Sequence, residues 1–99
     1  MAKVEIAAGV CGFVSTVEVT SDGDSAAVSV VSECELVRRL ADAVREVDVI
    51  GAVAGNAVYT SARQAHMHAA CPVPCGIVKA VEVAANLALP RDVAIRFVT

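Results

Sequence analysis

Ninety-nine residues give room for one core, and a hydrophobic content of 57% against 19% charged residues excludes a disordered chain, which needs the reverse balance. A net charge of -3 with only Phe13, Tyr59 and Phe97 as aromatics offers neither the clustered cations nor the stacking platform of a nucleic-acid binder. Twenty Val and nineteen Ala supply the apolar bulk, which leaves four cysteines as the scarce, chemistry-bearing resource.

In chain order, Lys3 to Ala8 and Phe13 to Thr20 alternate with period two and predict strands. Between them Gly9-Val10-Cys11-Gly12 predicts a tight turn carrying Cys11. Ser21-Asp22-Gly23-Asp24 predicts a second turn, and Ala26 to Val31 a third strand. The period then changes. Ser32-Glu33-Cys34-Glu35 has capping-box spacing, with Ser32 as the expected N-cap, and Leu36, Val37, Leu40, Ala41, Val44 and Val47 share one helical face. This reading puts Cys34 in the first helical turn, beside free N–H groups that favour a thiolate.

Asp48 to Gly55 is apolar but interrupted by Gly51 and Gly55. Asn56 predicts a cap for a short helix over about 57–67, and Pro72 and Pro74 suit the first turn of a further helix running to about Ala88. Arg91 to Val98 alternates Val93, Ile95 and Phe97 against Ala94, Arg96 and Val98, which predicts a closing strand. The expected architecture is a single α+β domain over residues 1–99, in the order β-β-β-α-α-α-β, with a mainly antiparallel sheet and helices on one face. The longest apolar stretch, Ala69 to Pro90, contains Pro72, Pro74, Lys79 and Glu82, so no membrane span is expected. The first residues carry Lys3 and Glu5 and lack the apolar run of a secretory signal, so the expected location is cytoplasmic, where thiols stay reduced.

All four cysteines fall at expected element ends: Cys11 on a turn, Cys34 at one helix start, Cys71 and Cys75 around another. His66 and His68 lie just before Cys71. Thiolates and imidazoles in this proximity point to a metal or cluster, for which the candidate ligands are Cys11, Cys34, Cys71, Cys75, His68 and His66. The bland readings are inert packing thiols and ordinary helix-end histidines. No C-x-x-C pair occurs, and Cys71 and Cys75 at i and i+4 also fit a plain helix face. Nucleotide-binding, zinc-protease and nucleophile-elbow motifs are absent. Residues 1–50 carry nine acids and four bases and residues 51–99 two acids and four bases, which reads most simply as solvated faces.

Gly9-Val10-Cys11-Gly12-Phe13, Cys34 after the third strand, His68-Ala69-Ala70-Cys71-Pro72-Val73-Pro74 and the run from Lys79 through Glu82-Val83-Ala84-Ala85 to Leu89-Pro90 together resemble a small family of cysteine-containing proteins of unknown function, of about this length. The resemblance covers nearly the whole chain. It implies that Cys11, Cys34 and Cys71, with His68, are the shared polar positions. It further implies that Ser would serve at Cys75 and that His66 stands where relatives carry another Cys. The family's occurrence, largely in anaerobic bacteria and archaea, implies an iron–sulfur cluster ahead of zinc.

The leading expectation is therefore a cysteine-ligated iron–sulfur protein for electron transfer or sensing, served by a redox partner protein, with Cys11, Cys34 and Cys71 as cofactor ligands and Cys75 or a histidine completing the set. Structural zinc is the first alternative. The others are a thiol enzyme with Cys34 or Cys71 as nucleophile and His68 as base, and an interaction module that forms a homodimer.

Overall fold

The computed structural model describes residues 1–99. Strands β1 (Ala2–Ala7), β2 (Val14–Ser21) and β3 (Ser25–Val31) form an antiparallel meander. Helix α1 (Glu35–Ala43) leads to a three-residue strand β4 (Glu46–Asp48), which pairs with the start of β3, and the sheet order is β1-β2-β3-β4. Helices α2 (Val49–Val53), α3 (Ala57–Gln64) and α4 (Val73–Ala84) follow. No helix is long and apolar enough to cross a membrane.

Alternation decides which way the sheet faces. Register sets Val17 between Val4 and Val30, and Val19 between Ala2 and Val28, so these rows point at the helices while Lys3, Glu18 and Ser29 point away. Helix α4 lies across β1 and β2 and buries Val73, Ile77, Ala80, Val81 and Ala84. Small side chains let it sit close. At Gly76 a Cβ would overlap the Ile6 side chain of β1, so the first turns of α4 touch the end of β1 almost backbone to side chain. Leu40 and Val37 of α1 and Val58 of α3 complete one continuous core. The α+β class and the one-sided helical layer are as the periodicities predict.

Four local expectations change. The capping box does not form, because the Ser32 hydroxyl is engaged elsewhere: it accepts from the Ser15 hydroxyl at 2.9 Å and from the Cys34 N–H at 3.2 Å. Cys34 itself is the N-cap of α1, and Glu35 turns to Arg39 at 3.9 Å. Val47, predicted on the face of α1, lies in β4 instead because α1 ends at Ala43, and the glycine-broken segment after it forms α2, with Asp48 accepting from the Gly51 N–H at 2.8 Å as the cap.

Both later helices stop sooner than predicted. His66 (φ 60°) and Asn86 (φ 61°) adopt left-handed backbone after α3 and α4. In each case the paired carbonyl closures of a Schellman motif form: Met67 to Ala62 with His66 to Arg63, and Leu87 to Glu82 with Asn86 to Val83. Finally, the predicted closing strand Arg91 to Val98 is outside the sheet. Its place as fourth strand is taken by β4, and residues 86–99 are all exposed.

Candidate functional site: the cysteine end of the sheet

Topology brings the four thiols to one end of the molecule. The β1–β2 turn with Cys11 lies there, β3 finishes there because Val31 pairs with Thr16 near the start of β2, and Cys34 follows three residues later. The start of α4 lies there because Gly76 abuts Ile6, and this fixes Cys71 and Cys75 at the same end. Cys34 and Cys71 are half-buried against the core, whereas Cys11 and Cys75 are exposed, and all four are free.

Each thiol has a local reason for its position. Gly9 and Gly12 take positive φ (88° and 76°), closing a turn in which the Gly12 N–H donates to the Gly9 carbonyl at 2.9 Å and the Ala8 N–H to the Phe13 carbonyl at 3.0 Å. Those two bonds are backbone only, and Cys11 projects from the turn into solvent. Cys34 is held by its amide on Ser32, whose carbonyl also accepts from Arg38 Nε at 2.8 Å, so this connection is pinned from both sides. Cys71 closes a turn on His68, its N–H donating to the His68 carbonyl at 3.1 Å, which places imidazole and thiol on the same short turn. Cys75 sits in the first turn of α4 with the Tyr59 phenol beside it. Partial desolvation pushes Tyr59 above the usual tyrosine range, and the neighbouring Cys75 adds repulsion against the phenolate.

These positions share an end but do not make a finished ligand set. No three His, Cys, Asp or Glu side chains stand together in an arrangement that would hold a metal ion. Thiolate–metal bonds of about 2.3 Å demand closer convergence, so Cys11, Cys34, Cys71 and Cys75 with His68 do not fit a preformed centre as they stand. His66 has a structural account of its own, as the left-handed residue that ends α3.

Two features escaped the sequence. Ser15 is fully buried and bonded to Ser32, and its signal was its parity with the inward-facing Val17 and Val19. Tyr59 is half exposed beside Cys75 because it follows the buried Val58 by one residue and so lies about 100° around α3 from the core-facing side.

Fold and site together define a small α+β protein, a meander sheet backed by helices, with thiols gathered at one end. The chain belongs to the Family of unknown function (DUF6951), whose family model matches residues 2–97. No curated protein and no solved structure matches it.

Proposed function

We propose that the protein works through its thiols in a reducing cytoplasmic setting, as a small cysteine-ligated iron–sulfur protein for electron transfer or sensing. Cys11, Cys34 and Cys71 are the ligands in this reading, with Cys75, His68 or His66 as the fourth. The supporting observation is that separate elements deliver all four cysteines to the same end of the sheet. Because the ligands are not assembled, binding requires closure. The Gly9–Gly12 turn is the element suited to it, since two backbone hydrogen bonds and no side-chain bond hold it.

Anaerobic reconstitution with ferrous iron and sulfide, followed by desalting and iron and sulfide analysis, tests this reading. The expected result is retained iron, sulfide and visible absorbance in the wild type, lost in Cys11→Ser, Cys34→Ser and Cys71→Ser. Stoichiometric zinc retention without colour, in a parallel sample given zinc, would instead support a structural zinc site, the alternative metal for the same thiols.

A second reading rests on the turn that joins His68 to Cys71 and on the absence of an assembled ligand set. It makes Cys71 a nucleophile or redox thiol with His68 as its base, free of metal. Alkylation at neutral pH, followed by mass spectrometry, decides between the two. One cysteine reacting far faster than the rest, slowed by His68→Ala, in a protein that retains neither metal, would sink the cluster reading and establish the thiol one.

A further inference from the structure

The C-terminal segment carries strand character without a strand to join. Val93, Ile95 and Phe97 alternate along it and are 66%, 89% and 95% exposed, and from Asn86 onward no residue is buried. Its one backbone hydrogen bond beyond the helix terminus is Arg91 N–H to the Leu89 carbonyl. An apolar, alternating segment left in water is costly and seeks an edge. The family model runs to residue 97, so the segment is part of what defines this domain.

The same molecule has a vacant edge. Strand β1 is outermost in the sheet, six residues long, and one row of its backbone N–H and C=O groups faces outward. The helix-side layer is also unfinished there, because Val4 and Ile6 are only half-buried whereas Val17 and Val19 on β2 are fully buried. Charge sets the match. If Val93, Ile95 and Phe97 face the helices beside Val4 and Ile6, then Arg96 faces the open side with Lys3 and Glu5. In either strand direction one register places Arg96 directly opposite Glu5, an opposite-charge cross-strand pair. In the folded chain the segment beyond Pro90 does not lie along its own β1: it joins no sheet, and every residue from Asn86 on is exposed.

We infer that residues 91–98 of one copy add a fifth strand to β1 of a second copy, and that the exchange is reciprocal. Two-fold symmetry then fills both edges and covers both segments with a single contact. This inference is independent of the thiol reading, since no cysteine lies in the segment or in β1.

Sedimentation equilibrium of the full chain under reductant tests it, with hydrogen exchange as a second readout. The expected species is a dimer with slowly exchanging amides over residues 91–98. A chain ending at Pro90, which keeps every core residue, should be a folded monomer, and Ile95→Asp should dissociate the dimer. Glu5→Lys and Arg96→Glu should each weaken it several-fold, and the double exchange should restore it.

Three outcomes would overturn the inference: a monomer with freely exchanging 91–98 amides, a monomer with protected ones (the segment docked on its own body), or a dimer that survives removal of the segment. The triple variant Cys11→Ser, Cys34→Ser, Cys71→Ser should dimerise like the wild type, which keeps a failure here distinct from a failure of the thiol reading.

Discussion

The two hairpin turns of the sheet are closed in opposite ways. At the β2–β3 end, Asp22 accepts from the Asp24 and Ser25 N–H groups, the Ser21 hydroxyl donates to the Ser25 carbonyl and accepts from Gly23, and Asp48 caps α2. Each of these groups satisfies backbone, so the acids there are structural. At the other end the β1–β2 turn is closed by backbone alone, and the thiols at that end carry no such duty; only Cys75 has a polar side-chain neighbour, Tyr59. Side chains that are spent on a fold are poor candidates for function. Those that sit at element ends without a structural task are the better ones, which is why the thiols carry the functional proposal and the acidic first half does not.

The contrast can be attacked from its strongest point downward. Ile77 is fully buried under the part of α4 that sets Cys71 and Cys75, so Ile77→Ala should cost about 2–5 kcal/mol in denaturant unfolding. Exposed Cys75→Ser and Cys11→Ser should stay within about 0.5 kcal/mol, and a larger loss would mean that those thiols are structural after all.

Ser32→Ala comes next. It strands the fully buried Ser15 hydroxyl and frees the Cys34 amide, for a cost of about 1–3 kcal/mol. The double change with Ser15→Ala should cost less than the sum of the two, because no orphaned hydroxyl remains.

At the end of α3, His66→Gly should be neutral to stabilising by up to about 1 kcal/mol, since glycine takes a left-handed C′ position without strain. A large loss there would assign the imbidazole a contact that its backbone role does not explain.

The smallest effects are titrations. Backbone N–H donors from Ser25 and Asp24 hold the Asp22 carboxyl below the usual aspartate range. The folded form therefore favours the carboxylate: its contribution is present above the unfolded pKa and is lost as pH falls through the depressed folded value. Asp22→Asn should remove that part of the acid-side slope in a pH series of melting temperatures. Tyr59, the sole tyrosine, should ionise above its normal range by ultraviolet difference absorbance, and Cys75→Ala should bring it only part of the way back, because desolvation is the larger cause.

Much of this was legible from local pattern. The period-two alternation predicted β2, and its parity puts Val17 and Val19 on the one face that the structure buries. The prolines before Ile77 marked the start of α4 correctly. Three things misled. Ser32 looked like a cap because cap spacing is local, but its hydroxyl was claimed by Ser15, seventeen residues away. His66 looked like a further residue of α3 because residue type does not disclose φ. The alternation at 91–98 was real as a pattern, yet a strand needs a partner edge, and pairing is not encoded in the alternating segment itself.

Composition and periodicity, which act over a few residues, determined by themselves that this chain forms an antiparallel meander backed by amphipathic helices. They also determined that its cysteines fall at element ends. Tertiary structure alone decided that those ends coincide at one pole of the sheet without closing into a ligand set, and that β4 rather than the last segment became the fourth strand. Both outcomes depend on how α4 packs against β1 and on which edge is left vacant. These are contacts between residues dozens of positions apart, and no local repeat records them.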